Sequence, residues 1–295
     1  MRTTDMTRRG ALVCAGALAL TTRNAAAQPV FDDTKPTKGT VIPDAKVAEM
    51  NAAPLIPKRL TKLYSLQPAI AEPNALQFTP AGTLLVLDQA DPNKVFEIAP
   101  ADGRIIRMVQ TEAMHGSGIC IDALGYWLVT STKGLQSGGP PVTLLIDPKT
   151  GATLKKWVTP GWGYYGAVRE ESGSPSGGHD VKWAGAGRYW LAVPASGSLF
   201  LMDEVSGKPV RSIPAPVLRT HGLVIDGDAL WSVASDYQQI QKISQSDGRI
   251  LGKIQLAKTD PAIHGIAKVD DLLVVTLDAF ALFAGLDVSL TGAGV

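Results

Sequence analysis

The sequence predicts an all-β fold made of repeated units. Beyond about residue 59, short runs rich in Val, Ile, Leu, Trp and Tyr alternate with Asp-Gly, Ser-Gly and Asp-Pro turns, as in strands joined by tight connections. A His-Gly start recurs at a period of about 42 residues, and each repeat divides into four strands. Four strands at this period are typical of a β-propeller blade. We therefore predict a β-propeller, and no segment shows a convincing helical period.

Composition supports one substantial core. The chain has 295 residues, of which 45% are hydrophobic and 19% charged, too apolar for a disordered protein. No apolar run reaches the roughly 18 to 20 residues that a membrane-spanning helix needs, so we expect no integral membrane segment. The net charge is +1 without a basic run, which argues against nucleic acid as a partner. We expect a monomer that acts on a small molecule.

The first 27 residues are typical of an export signal. Arg8 and Arg9 precede a short apolar segment, and a small-residue run ends at Ala27. This order predicts a signal peptide of the twin-arginine type, with an ordinary secretory signal as the alternative. The protein would then be periplasmic or secreted. After cleavage only Cys120 would remain, which excludes an intramolecular disulfide.

Two further regions follow the signal. Residues 28–58 are rich in Pro, Ala, Asp and Lys without a sustained period, and we predict an extended arm. Residues 59–295 are predicted to form a single propeller domain.

The repeats define the blades. They begin at Asn74, His115, His179, His221 and His264, with spacings of 41, 64, 42 and 43 residues. Five blades are counted, and a sixth would have to come from the arm and the C-terminal tail. The last repeat ends after its third strand, around residues 281–287. The β run at 60–66 is therefore expected to supply the missing outer strand and close the ring.

All four histidines of the chain start a repeat. The first strand of a blade lines the central channel, so His115, His179, His221 and His264 should surround one mouth, with Asn74 in the fifth place. Imidazoles suit Zn, Fe, Cu or Ni better than Ca or Mg. We predict that the four histidines bind a divalent transition metal, Zn or Fe. The alternative is that each His-Gly pair is a structural turn.

The second strand of each blade should end at the same mouth. The terminal positions are Asp88, Ser131, Pro194, Ser235 and Asp278. Asp88 and Asp278 belong to blades that meet at the ring closure, so they are candidates for a proton acceptor or for orienting the histidines. Equally, an Asp at this place can simply begin a loop.

The long spacing before His179 indicates an insertion at about 160–178. Because it leads directly into His179, it should emerge beside the histidines. Trp162, Tyr164 and Tyr165 offer an aromatic wall, and Arg169 offers a cation. Long loops on rigid scaffolds often bind ligands, so these four residues, with Asn74, are predicted to contact substrate. A surface excursion without function is the alternative.

The blade starts also resemble a known group. The His-Gly-aliphatic start followed by Asp-Gly and Leu-Trp, as in 221–231, is similar to the gluconolactonase-like and NHL-type propellers, particularly the streptogramin B (virginiamycin B) lyase branch. The resemblance covers roughly residues 59–287. It implies a propeller whose channel-mouth histidine acts as a base beside a divalent cation, a role that His264 could fill. The Glu/Asn/Asp metal site of the sugar lactonases is not matched, because histidines stand at most of those positions.

Together these observations predict an exported, metal-dependent propeller enzyme, a lyase or hydrolase acting on a small organic substrate. One alternative is an Fe(II) oxygenase with four histidine ligands, as in the larger carotenoid oxygenase propellers. Another is a non-catalytic propeller that serves as a binding scaffold. No Gly-x-Ser-x-Gly elbow, P-loop or His-Glu-x-x-His motif is found, which disfavours nucleophilic hydrolases and nucleotide-dependent enzymes.

Overall fold

The computed structural model describes residues 31–56, 58, 62–65, 68–165, 175–277 and 282–287. The predicted export signal lies outside the described residues, as do Arg169 and Asp278. Among the helices of the described part, none is both long and apolar enough to cross a membrane.

The described strands form five four-stranded antiparallel sheets, which are the blades of a propeller. In chain order, β1 (Thr37–Thr40), α1 (Asp44–Ala52) and β2 (Lys62–Ser65) precede the first complete blade. Blade 1 comprises β3 (Pro73–Phe78), β4 (Leu84–Asp88), β5 (Lys94–Ile98) and β6 (Ile105–Gln110). Blade 2 comprises β7 (Gly116–Ile121), β8 (Trp127–Gly134), β9 (Pro141–Ile146) and β10 (Thr153–Val158). The short strand β11 (Gly163–Tyr165) follows within the insertion.

The remaining strands complete the ring. Blade 3 comprises β12 (Asp180–Gly185), β13 (Arg188–Val193), β14 (Ser198–Asp203) and β15 (Pro209–Pro214). Blade 4 comprises β16 (Thr220–Asp226), β17 (Ala229–Ala234), β18 (Gln239–Ser244) and β19 (Ile250–Gln255). Blade 5 comprises β20 (Ile263–Val269), β21 (Leu272–Leu277), β22 (Leu282–Asp287) and, from the other end of the chain, β2. The prediction of four-stranded blades, counted as five, is confirmed.

Ring closure also follows the prediction. β2 pairs antiparallel with β22, with Leu63 opposite Ala284 and Tyr64 opposite Phe283. The last sheet therefore has the order β2-β22-β21-β20. An N-terminal strand completes the blade that the C-terminal strands begin.

The core lies between the blades. Alternate side chains of each sheet pack against the next blade, as the period of two in a strand requires. Leu87 and Val129 share one cluster between blades 1 and 2, and Trp231 and Ile266 share another between blades 4 and 5. Burial of whole large side chains, each worth roughly 1.5–3 kcal/mol, thus holds neighbouring blades together.

The arm differs from the prediction in one respect. It contains the helix α1, although no helix was expected. The helix is held by packing: its Met50 joins Val217, Ala234 and Ile250 of blade 4 in a buried cluster. Farther on, Leu55 forms a parallel bridge with Lys253, at the outer edge of blade 4. The arm therefore covers an edge that would otherwise be open to pairing with another chain.

Candidate functional site

Three of the four histidines form a stack. The ring centroids of His179 and His221 lie 4.7 Å apart with 16° between the planes. Those of His221 and His264 lie 3.8 Å apart with 25° between the planes. The three residues come from consecutive blades, and each is at least nine-tenths buried. The equivalent place in each repeat thus brings these imidazoles into direct contact, as the repeat pattern predicts.

A serine determines which nitrogen of the central ring carries a proton. Nδ1 of His221 lies 2.6 Å from Oγ of Ser235, and that hydroxyl also lies 2.9 Å from the carbonyl oxygen of Ile263. A carbonyl can only accept, so the hydroxyl proton goes to Ile263 and Nδ1 of His221 must donate to Ser235. His221 is therefore the Nδ1–H tautomer, and its Nε2 carries the lone pair.

The surroundings keep this ring neutral. Burial lowers the pKa of His221 well below its ordinary value, and the neighbouring His264, His179, Arg219 and His115 lower it further. Burial disfavours the charged imidazolium, and so do adjacent groups that carry or can acquire positive charge. At neutral pH the ring has a fixed tautomer and an available lone pair.

His115 occupies the same place in its repeat but has a different environment. It is half-buried and adopts a left-handed backbone conformation with φ 53°, a region that non-glycine residues seldom occupy. Its carbonyl accepts a hydrogen bond from Oγ1 of Thr132 at 2.8 Å. Burial is the main cause that lowers the pKa of His115, with Lys133 adding to it and Glu72 opposing it.

Asn74, in the fifth place, joins three blades. Its side-chain NH₂ donates to Oε1 of Gln89, and its Oδ1 accepts from Oγ of Ser117 at 3.2 Å. Its backbone carbonyl accepts from Oγ1 of Thr276 at 3.0 Å. Asn74 was predicted to contact substrate; the structure shows that both polar ends of its side chain bond to neighbouring residues.

The stacked geometry does not match a metal centre. A Zn²⁺ ion needs in-plane nitrogen lone pairs that converge at about 2.0–2.1 Å, whereas the lone pairs of parallel rings lie in parallel planes. In the part of the chain that the structure describes, no group of three or more His, Cys, Asp or Glu side chains is placed to hold a metal ion. As placed, these residues do not fit the ion. Metal binding by the four histidines stays a prediction.

Asp88 is engaged by the backbone. Its carboxylate accepts hydrogen bonds from the amides of Ala71 and Glu72, both at 3.0 Å, and of Ala90 at 3.1 Å. The side chain is only 2% exposed. This arrangement is that of a carboxylate that organises a turn. It corresponds to the alternative in which the Asp begins a loop.

The arm covers the start of the insertion. Trp162 is buried, and its indole N–H donates to the carbonyl oxygen of Asp33 at 3.0 Å. The Tyr164 ring lies under the Lys38 ammonium, 6.0 Å from its centroid. Tyr165 is described as the last residue of β11. The predicted aromatic wall is thus in part an anchor for the arm, a contact between distant segments that no local pattern indicates.

A buried ion pair lies between the innermost strands of the blades. Nζ of Lys182 lies 3.2 Å from Oδ1 of Asp180 and donates to the carbonyl oxygens of Leu76 at 3.1 Å and Ile119 at 3.0 Å. Oδ2 of Asp180 accepts from the amide of Leu223 at 2.6 Å. The pair therefore links the inner strands of four blades. Burial raises the pKa of Asp180 to about 6 against the opposing effect of Lys182.

The sequence analysis missed this pair, although a signal was present. Asp180 replaces the glycine that follows the histidine in the other three His-Gly repeats. On the far side of the pair, the opposite mouth of the channel holds a cavity of about 380 Å³ that includes Gln77, Lys182 and Trp183 in its lining.

Comparison with solved structures places the fold. A glutaminyl cyclase from Myxococcus xanthus superposes with a TM-score of 0.57 at 11% identity, covering 78% of this chain and 97% of that one. The likeness is one of fold. A streptogramin B lyase gives a TM-score of 0.46 at 15% identity, covering 73% and 80% of the two chains. Virginiamycin B lyase from Staphylococcus aureus gives a TM-score of 0.44 at 15% identity, covering 76% of this chain and 69% of that one.

The feature that these structures share with this chain is the propeller fold. No protein-family model matches the sequence, and neither does any curated protein.

Proposed function

We propose that this chain is an exported enzyme, a lyase or hydrolase, that acts on a small organic substrate at the mouth formed by the histidines. The observation that carries the proposal is the stack of His179, His221 and His264. Ser235 holds its central ring in one tautomer, and burial keeps that ring neutral by lowering its pKa. A fixed neutral imidazole at a channel mouth is suited to general acid–base chemistry.

The stack makes the charged form of His221 short-lived. When Nε2 of His221 accepts a proton, the imidazolium lies buried between two further imidazoles, which opposes the charge. The proton is therefore passed on readily to a leaving group. The ring nitrogens of His264, stacked on His221 with centroids 3.8 Å apart, lie in a nearly parallel plane, so His264 would exchange a proton with the substrate and not with His221. Eliminations and ring openings both need such paired removal and delivery of a proton.

A panel of substrates tests the proposal. It contains streptogramin-type cyclic depsipeptides, simple lactones and peptides with N-terminal glutamine, the last suggested by the glutaminyl cyclase with the same fold. Turnover by the wild type is expected to fall by at least about 100-fold in His221→Ala and His264→Ala. Ser206→Ala, on an exposed turn, is the control and should retain full activity. Equal turnover in all four proteins would contradict a catalytic role for the stack.

The predicted metal needs a separate measurement. Elemental analysis of the exported protein beside a His179→Ala/His221→Ala variant decides the matter. Near-stoichiometric metal that disappears in the variant supports a metal site, and iron would favour the oxygenase alternative. Absence of metal from an active wild type supports acid–base chemistry by the imidazoles alone.

A non-catalytic scaffold is the second candidate, and one observation favours it. A Cβ at Gly222 would come within 2.7 Å of the Ile266 amide nitrogen, and one at Gly265 would overlap the carbonyl oxygen of Asn74. The glycine of the His-Gly pair thus has a packing role between blades. A protein with all four histidines replaced by alanine that melts like the wild type, together with no turnover on the panel, would support the scaffold.

A further inference from the structure

The arm and the insertion form one hydrogen-bonded unit. β1 of the arm pairs in parallel with β11 of the insertion, and the Thr37 amide donates to the carbonyl oxygen of Trp162 at 2.7 Å. The Trp162 indole in turn donates to the carbonyl oxygen of Asp33 at 3.0 Å. A Cβ at Gly163 would overlap the Thr37 backbone. The arm and the insertion therefore approach each other as closely as their backbones allow.

This unit continues to a histidine of the site. Gly163 and Ser176 exchange two backbone hydrogen bonds, of 3.0 and 2.8 Å. Oγ of Ser176 lies 2.7 Å from Nε2 of His179. The ring of His179 is thus held at its edge by Ser176 and on its face by His221.

The next residue fixes the segment on its other side. The Gly177 amide donates to the carbonyl oxygen of Thr132 at 2.9 Å, and Oγ1 of Thr132 donates to the carbonyl oxygen of His115 at 2.8 Å. Ser176 and Gly177, joined by their peptide bond, therefore form part of a path of hydrogen bonds that links the His179 ring to the backbone of His115. A side chain at position 177 would overlap Pro141, so the path requires glycine there.

We propose that Ser176 is a positioning residue for His179, and that the arm sets the place of Ser176 through β11. A hydrogen bond to one ring nitrogen selects the tautomer and stops rotation of the ring. The arm then helps to orient the His179 ring, in addition to covering the outer edge of blade 4. The effect on catalysis rests on the proposed function, whereas the effect on the His179 ring does not.

The first test is spectroscopic and needs no substrate. Long-range ¹H–¹⁵N spectra of histidine-labelled protein report the tautomer of each ring, and single His→Ala variants assign the four rings. Ser176→Ala is expected to shift the His179 nitrogens toward the average of two exchanging tautomers. Ser176→Thr, which keeps the hydroxyl, should restore them, and Ser206→Ala should leave all rings unchanged. Unchanged His179 signals in Ser176→Ala would overturn the proposal.

The second test addresses the arm. Thr37→Pro removes the amide that donates to Trp162, and Val41→Pro, just past β1 at an exposed position, is the matched control. Thr37→Pro is expected to reproduce the His179 shift of Ser176→Ala, and Val41→Pro to give wild-type spectra. Because proline has no N–H, the Thr37 donor is lost in every case. Wild-type His179 signals in Thr37→Pro would therefore overturn the role of the arm.

Catalysis gives a third readout. For a substrate that the wild type turns over, Ser176→Ala and Thr37→Pro should lower kcat about tenfold or more, since small misplacements of a catalytic group are costly. Ser176→Thr should recover most of the rate. Wild-type kcat in both variants would overturn the catalytic part of the proposal. Failure of every substrate counts against the proposed function, while the spectra still decide whether Ser176 and the arm position His179.

Discussion

Lys182 and Asp180, two residues apart on the innermost strand of blade 3, form an ion pair of 3.2 Å with both side chains buried. Lys182 also donates to carbonyl oxygens of blades 1 and 2, and Asp180 accepts an amide of blade 4. Neighbouring blades contact each other mainly through apolar side chains. This ion pair adds polar contacts that connect blade 3 to blades 1, 2 and 4 at the centre of the ring.

Replacing Lys182 by methionine is expected to destabilise the protein strongly. The change leaves the Asp180 carboxylate buried without its counter-charge, and loss of one partner of a buried pair costs about 3–5 kcal/mol. The double variant Lys182→Met/Asp180→Asn, which removes both charges, should be less destabilised than the single variant. Urea unfolding measures both values. A loss below about 1 kcal/mol in Lys182→Met would show that the pair is not as desolvated as described.

The same pair predicts a pH dependence. Burial raises the pKa of Asp180 from 3.8 to about 6, so the folded state binds this proton more tightly than the unfolded chain. The resulting stabilisation is fully present below about pH 4 and is lost as the pH rises through about 6. The difference in unfolding free energy between the wild type and Asp180→Asn should therefore be more favourable to the wild type at pH 4.5 than at pH 7. The opposite trend in urea titrations at the two pH values would contradict a raised pKa.

Gly265→Ala is expected to weaken the junction of the last and first blades. The added methyl group would overlap the carbonyl oxygen of Asn74, and overpacking of this kind typically costs about 1–3 kcal/mol. Gly82→Ala is the comparison: at φ 80° it carries the left-handed penalty, but no atom lies within 4 Å of its new Cβ. Thermal melts should show the larger loss for Gly265→Ala. A smaller loss there would mean that the two blades can move apart at little cost.

Ser235→Ala is expected to destabilise the stack of histidines. It leaves the Nδ1–H of His221 and the carbonyl oxygen of Ile263 without their shared partner, and a buried unsatisfied group costs about 1–3 kcal/mol. Ser235→Thr keeps the hydroxyl and should cost less. Denaturant unfolding of the wild type and the two variants provides the measurement. A Ser235→Ala protein as stable as the wild type would show that water replaces the hydroxyl.

The proposed export predicts a defined N-terminus. Protein recovered from the periplasm or medium of a host that expresses the full chain should begin at Gln28, which intact-mass measurement detects. Replacing Arg8 and Arg9 by lysine should block export if the signal is of the twin-arginine type. A full-length product that starts at Met1 would contradict cleavage, and normal export of the lysine variant would favour an ordinary secretory signal.

The fold was largely predictable, since it is encoded in periodic features. The repeat starts, the four strands per unit and the outer strand at 60–66 all follow from local sequence patterns, and β2 pairs with β22 as expected. The helix α1 was not predictable in the same way. Of its residues only Met50 is fully buried, so its apolar pattern is weak and its stability comes from contact with blade 4.

The approach of three histidines was predictable from the sequence, but their contacts were not. The repeat pattern predicts that His179, His221 and His264 come together, whereas their face-to-face stacking depends on ring orientations that spacing does not encode. Likewise, nothing near Trp162 in the sequence indicates that Asp33, in a remote part of the chain, would receive its indole N–H. Contacts between distant segments are fixed by tertiary packing, which overrides what either segment suggests alone.

The pairing of β2 with β22 has a consequence for synthesis of the protein. A ribosome releases residues 62–65 long before residues 282–287, so the outermost strand of blade 5 waits for its partner through nearly the whole of translation. Contacts of such long sequence separation form slowly, and until they form, the ring stays open with an unpaired strand edge that invites aggregation. A chain terminated before β22 would keep that edge unpaired permanently. We therefore expect such a chain to aggregate, whereas a chain that includes β22 can close the ring.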